Sequence, residues 1–554
     1  MAEPSSTATT WHEATPTQQG LWILDRIERL RPTYLLPSVV EFTGPVDHAL
    51  LVASVQRAIA RHPALRSRFR LDARLRRVEY RTDAEPAEAG FIDAAADGWT
   101  GEELDDLVEV LCCTPFDLAE EAPTRAEVIR VDDRTTLLVL NVHHIVFDGW
   151  SRGLLMDEIA AIYRGKLRGE EIELPPAPHP ADVLDPPDRE ELADRVAEVV
   201  ERLRGAPIGV ALPYDRDPAS EELSLLGADS ATHLDADLTK QLVDVATTEG
   251  ATLYMTGVAL LAATLARMSG QRDFLFAVVW PGRDDPATAD VVGMFMTTLV
   301  VRIGLDETTT WRELLRDARI AAMETFVDAD VPLDAIAAAL DPNRDVSRPP
   351  LTPVLVQLNA VPDGFELAPG VPGRYRPLKP QYSKYDLALF VRLDHSSGAE
   401  RLELSLDRPA DLFEGTTLVD LFAGLRRSAA DLARFPEEPV LEPTTAVDGI
   451  ADDPAARLDA VRALWREVLG VEEVADDVSF FEAGGDSLRL VILVERLNQV
   501  SEHALRTVDL FRAGTVRAQA ELLAGPAKST ASAAGTSRQR LLDAARARRG
   551  EARA

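Results

Sequence analysis

The stretch TTLLVLNVHHIVFDGWS, Thr135–Ser151, governs how the rest of the chain is read. Thr135–Val142 is almost unbroken β-branched and aliphatic residues, the pattern of a buried strand. His143 and His144 close it, and adjacent side chains on a strand point to opposite faces. The two imidazoles therefore cannot both chelate one metal simply, and no His/Cys cluster elsewhere has metal-ligand spacing. One ring is expected to carry structural hydrogen bonds while the other faces a cleft. Asp148 and Gly149 read as the turn leaving the strand, with Asp accepting backbone hydrogen bonds and Gly tolerating unusual dihedrals. As a bare dipeptide, a His pair is more often structural than catalytic.

Outward from this point, Leu51–Arg61 (LVASVQRAIAR) reads as an amphipathic helix. Thr252–Met268 reads as a long apolar helix, and Asp273–Trp280 (DFLFAVVW) as a buried strand after it. Helices and strands interspersed from Thr15 to about Phe435 predict layered α/β units. Two Pro-rich stretches, Leu174–Pro187 and Pro436–Thr445, read as connections, the first between lobes and the second a true linker. Beyond them, Pro454–Leu523 has the pattern of a small helical domain, with helices expected at Ala456–Leu469, Leu488–Asn498 and Val516–Leu523.

That last region contains Gly484-Gly485-Asp486-Ser487-Leu488. The glycines permit a tight turn. Leu488, Val491, Val494 and Leu497 recur along one helical face, so Ser487 would stand at a helix N-terminus, where backbone donors favour a phosphate. For an Asp-Ser pair alone, an N-cap is the ordinary reading.

Composition narrows the function class. The chain has 554 residues, which predicts about three or four structural units at roughly 150 residues each. With 46 % hydrophobic and 27 % charged residues it is ordinary for a globular protein. A net charge of −33 argues against general nucleic-acid binding, which needs clustered Lys and Arg. Only Cys112 and Cys113 are present, so no disulfide framework is expected and a reducing, cytoplasmic compartment is the natural one. The opening MAEPSSTATTWHEATP lacks a signal-peptide pattern, and no apolar run reaches the roughly 18 residues of a membrane span.

The full string HHIVFDG resembles the HHxxxDG signature of nonribosomal peptide synthetase condensation domains. The resemblance extends collinearly through TPTQQGLW (Thr15–Trp22), RHPALRSRF (Arg61–Phe69), LPYDR (Leu212–Arg216), GQRDFLFAVVWPGR (Gly270–Arg283), VVGMFMTTLVVR (Val291–Arg302), NRDVSRPPLTPVLVQLN (Asn343–Asn359) and KYDLAL (Lys384–Leu389). GGDSL, preceded by VSFFEAG and VRALWREVLG (Val461–Gly470), resembles peptidyl carrier domains. Two departures stand out: the YxDYA block is reduced to PADVLDP (Pro180–Pro186), and FVNT becomes Phe295-Met296-Thr297-Thr298, losing an amide at Thr297. An epimerisation domain is disfavoured because Trp150-Ser151-Arg152 follows Gly149 and because this domain precedes a carrier. A heterocyclisation domain would replace the histidine pair.

The resemblance implies a two-lobed α/β (α+β) fold of the chloramphenicol-acetyltransferase kind, plus a small all-α four-helix-bundle carrier domain. It implies a condensation domain at 11–435 (lobes about 11–175 and 176–435) and a carrier at 455–525, while composition predicts a disordered stretch at 1–10, a linker at 436–454 and a mobile basic tail at 526–554. The implied catalytic set is His144 with His143, Asp148 and Gly149. His144 serves the attacking amine, and Asp148 holds its loop through an arginine such as Arg344 or Arg348. Ser487 is the implied attachment point of 4′-phosphopantetheine, added by a separate phosphopantetheinyl transferase. The implied reaction joins an acyl or peptidyl thioester, brought by an upstream carrier protein, to an aminoacyl group on Ser487. No adenylation signature is present, so a stand-alone adenylation enzyme would load Ser487 in trans. The alternatives are an ester- or amide-forming acyltransferase using a soluble acceptor, and a non-catalytic docking scaffold. No metal, nucleic acid or membrane is implied.

Overall fold

The computed structural model describes residues 10–183, 189–218, 225–345, 348–358, 364–378, 382–394, 400–441 and 454–469, then 471, 473–480, 483–485, 489–490, 493–494, 496–497, 510 and 513–523. The chain divides into two compact units, Met1–Leu441 and Glu442–Ala554.

The first unit carries two six-stranded sheets. One has the order Phe365–Ala368, Val371–Tyr375, Leu35–Thr43, Thr135–His143, Thr124–Arg130, Ala89–Asp93. Thr135–His143 is central and buried at every position after its first. Successive residues alternate between two cores, as the strand period of two requires. Leu138, Leu140 and Val142 face the core beneath the helices His48–Arg61 and Gly149–Leu167. Leu137 and Val139 face the other, beneath the helix Glu102–Cys113. Each such side chain contributes about 1.5–3 kcal/mol by leaving water. The antiparallel pairing of Leu35 with His143 brings the histidine pair to the sheet end beside Tyr34.

The second sheet has the order Thr297–Gly304, Asp273–Trp280, Val354–Leu358, Leu387–Asp394, Arg401–Pro409, Gly227–His233. Val354–Leu358 runs parallel to both neighbours, and the other pairs are antiparallel. The apolar helix predicted near Thr252 spans Leu253–Ser269, begun by Thr252 accepting from the Met255 N–H and ended at Gly270 with φ +74°. Among the described residues, no single helix is long and apolar enough to cross a membrane.

Two boundaries differ from the sequence expectation. Phe365–Tyr375 crosses to join the first sheet, with Gly373 opposite Phe42, so the lobes are interleaved in sequence. The expected linker at 436–454 begins later, because Val440 and Leu441 are buried in the second lobe's core and Thr310 bridges to Pro439.

In the second unit, helices span Pro454–Leu469 and Val516–Leu522. Val461, Trp465, Phe480, Leu490, Leu493, Val494 and Leu497 share one core. Trp465 stacks edge-on against Phe480 at 4.9 Å and donates through Nε1 to Gln519 Oε1 at 2.8 Å. Leu488 and Val491 of the expected helical face, residues 1–9 of the N-terminal stretch and the basic tail lie outside the described residues.

Candidate active site

His143 ends the central strand and His144 opens a single 3-10 turn, His144–Val146. The two rings have different partners. His143 Nδ1 accepts from the Ile145 N–H at 3.0 Å, so the neutral ring carries its proton on Nε2. That nitrogen lies 3.6 Å from Asp25 Oδ1, and Arg31 lies 3.5 Å from the same oxygen. Burial holds His143 below its ordinary range, and Asp25 opposes this.

His144 is arranged the other way. Its Nδ1 is 2.8 Å from the Phe147 carbonyl, which can only accept, so Nδ1 bears the proton and Nε2 keeps its lone pair. Burial, and next the charge of Lys384, push its pKa well below the ordinary value. A neutral imidazole with a free Nε2 can take a proton from an incoming amine. Gln18, from the TPTQ block, fixes the turn by donating to the Ile145 carbonyl at 2.9 Å.

Asp148 caps the helix Gly149–Leu167 by accepting from the Ser151 N–H at 2.8 Å. Its arginine partner is Arg283, not Arg344 or Arg348. The Arg283 Nη2 lies 3.0 and 2.9 Å from the two carboxylate oxygens, and both side chains are under 5 % exposed. Arg344 is taken by Asp334 and Arg348 by Asp386. Arg283 also donates to the Thr288 and Val291 carbonyls and lies over the Phe295 ring. Ser151 Oγ donates to the Gly293 carbonyl, while the Phe295 N–H reaches Asp148 at 3.3 Å. The motif's aspartate therefore bolts the histidine loop to the segment from Gly282 to Phe295. The WPGR block at Trp280–Arg283 marked that segment, but spacing alone could not rank its arginine above the other two.

Gly149 corrects a second expectation. It is the first residue of the helix and has no positive φ, so it is not needed for an unusual turn. An added Cβ there would meet nothing within 4 Å and would project into open space. Thr297, where the amide is lost, lies on a cavity of about 390 Å³ shared with Thr17, Met294, Phe295, Met296 and Arg195.

In the second unit, Asp486 and Ser487 lie outside the described residues. The approach to them is described. Gly484 has φ +95°, and the Gly485 N–H donates to the Phe480 carbonyl at 2.9 Å. A Cβ on Gly485 would lie 2.4 Å from the Phe480 ring. Both glycines of GGDSL are thus required by a tight turn against the carrier core, which fits a serine presented for modification. Among the described residues, no group of three or more His, Cys, Asp or Glu side chains could hold a metal ion.

Comparison with known proteins agrees with both regions. The Condensation domain model matches residues 9–451 and the Phosphopantetheine attachment site model residues 459–523. Isonitrile lipopeptide synthase of Mycobacterium tuberculosis is 28 % identical over 455 residues, covering 80 % of this chain and 18 % of the relative. Phosphinothricin tripeptide synthetase PhsC of Streptomyces viridochromogenes is 30 % identical over 437 residues, covering 76 % of this chain and 39 % of the relative. The chain thus spans a minor part of the length of these relatives. The crystal structure of the X-domain from teicoplanin biosynthesis superposes with a TM-score of 0.69 at 25 % identity, covering 79 % of this chain and 98 % of that one. A family model that fits four-fifths of the chain around a buried HHxxxDG loop leaves one assignment: this chain belongs to the condensation-domain family of nonribosomal peptide synthetases, with a phosphopantetheine-binding carrier region following.

Proposed function

We propose that the first unit catalyses amide formation between a carrier-bound acyl or peptidyl thioester and the amine of an aminoacyl group held on Ser487. The observation that carries this reading is the Nδ1–H···O=C bond from His144 to Phe147, which leaves Nε2 as a free base at a buried strand end. The acceptor α-amine, with a reference pKa of roughly 7.7–8.0, is partly neutral near pH 7. His144 then orients it and takes its proton as the bond forms, an effect of about 10²- to 10⁴-fold. His143 and Gln18 fix the turn, and Asp148 with Arg283 fixes the loop. Gly149 leaves its side-chain space open. When attached to Ser487, 4′-phosphopantetheine supplies the thiol that carries the aminoacyl group. Its attachment requires a phosphopantetheinyl transferase, and we assign the aminoacyl loading to a separate adenylation enzyme.

The test is intact-protein mass spectrometry of the full chain, loaded on Ser487 and mixed with a donor acyl carrier. Native protein is expected to gain the donor acyl mass, and His144→Ala to gain it at least about 100-fold more slowly. Equal rates would remove His144 from the chemistry. A docking scaffold is the second reading. It is favoured by the lost amide at Thr297 and by the resemblance to an X-domain, one example of which is known in complex with OxyB. It predicts no acyl transfer by native protein with any donor.

A further inference from the structure

Three cations stand around the histidine loop from His143 to Asp148, and two are occupied. Arg31 is held by Asp25 and the Phe116 carbonyl, and Arg283 by Asp148. The third is Lys384, which reaches from the second lobe just before the strand Leu387–Asp394. Its Nζ lies 5.1 Å from the ring centroid of Tyr34, the residue preceding Leu35 in the strand that pairs with His143. Among the described residues it has no hydrogen bond and no carboxylate within salt-bridge distance. A half-buried ammonium whose charge bears on two imidazoles, without a direct anion, is costly to keep. Such a group is well placed to receive negative charge that forms only during reaction.

We infer that Lys384 is the electrophilic residue of the condensation step, its ammonium receiving the negative charge that forms on the thioester carbonyl oxygen. This rests on the proposed amide-forming function. The amine nitrogen attacks the carbonyl carbon, and the carbonyl π pair moves onto oxygen beside Lys384 Nζ. His144 Nε2 takes the amine proton. The oxyanion then collapses, the C–S bond breaks, and the departing thiolate takes the proton back from His144. An amide and a thiol result, with Lys384 and His144 returned to their starting states.

Electrostatics support the geometry. Burial lowers the Lys384 pKa to about 8, and Asp407 on the strand Arg401–Pro409 opposes this. The other titratable groups around it are His143 and His144 on the first lobe, Tyr34, and the neighbouring Tyr385, which is hydrogen-bonded to Thr298 and feels Asp334. Native activity should therefore rise as the acceptor amine deprotonates and fall again above about pH 8 as Lys384 loses its charge. Arg stays protonated throughout.

The experiment compares native protein, Lys384→Met and Lys384→Arg as full chains. Single-turnover condensation is followed from pH 6 to 10. In parallel, ¹³C histidine NMR titrations are recorded on the unloaded chains, with His144→Gln assigning the His144 signal. The expected result is a 10²- to 10³-fold loss in Lys384→Met. Lys384→Arg should retain substantial activity and lose the alkaline fall. The His144 titration should move up in Met and not in Arg. A Lys384→Met rate within about threefold of native, or an unmoved His144 titration in that variant, overturns the inference while leaving the amide-forming function standing. Absence of product from native protein overturns that function, and this inference with it.

Discussion

Asp148 and Arg283 are buried together; Arg283 also donates to Ser151 Oγ beside Asp148, and Asp148 accepts from the Phe295 N–H of the arginine's segment. Removing one partner of such a pair strands a buried charge and costs about 3–5 kcal/mol. Arg283→Ala should therefore lower the stability read from urea titration by that amount, and a joint Asp148→Asn, Arg283→Ala change should cost less than the sum of the two. Lys384 has the opposite sign. Its folded pKa of about 8 lies below the free value of roughly 10.4, so stability is lost as pH falls across that window and the penalty is complete at pH 7. Lys384→Met should stabilise the fold at pH 7 by about 1–2 kcal/mol even as it slows the reaction. His144 is likewise held neutral. Below about pH 6.5 the unfolded chain takes up a proton that the native state refuses, so acid destabilises the fold. Between pH 7 and 5.5, native protein should lose about 1 kcal/mol more than His144→Gln in urea titrations.

The loops beside the site depend on single backbone positions. Gly282 has φ +66°, and a Cβ there would lie 2.1 Å from the Phe295 carbonyl oxygen. Gly282→Ala should cost at least about 2 kcal/mol and displace Phe295, whose N–H reaches Asp148. Circular dichroism melts together with single-turnover rates would show both effects. Much of this level was readable beforehand. The strand into His143 and the helix near Thr252 announce themselves by their long apolar runs. The helix predicted at Leu51 begins three residues earlier, because Asp47 accepts from the Leu50 N–H. The helix Arg189–Arg202 was harder to see: its sequence is mostly charged, and it is held by Val199 in a small core and by Arg195 and Arg202 on Asp328. The choice of Arg283 over Arg344 and Arg348 is a matter of distance between segments far apart in sequence, which no local pattern encodes. The same holds for Lys384, whose proposed role depends on the other lobe.

At the scale of the molecule, the first unit is closed by its own C-terminal segment. Val440 donates to the Thr309 carbonyl, and Arg267 donates to the Val440 carbonyl. Val440 and Leu441 are buried with the second lobe. A fragment ending at residue 435 should unfold about 3–5 kcal/mol more easily than one ending at 445, measured by urea titration. Beyond that segment the second unit has its own core around Trp465 and Phe480. The proposed reaction needs both units, so one measurement on the full chain tests them together. Native, His144→Ala and Ser487→Ala chains are treated alike with transferase, aminoacyl donor and acyl carrier, then analysed by peptide-level mass spectrometry. The predicted result is an acyl-aminoacyl group on the Ser487 peptide of native protein, an aminoacyl group alone in His144→Ala over the same interval, and neither in Ser487→Ala. An acyl-aminoacyl group of equal yield in His144→Ala would contradict the account.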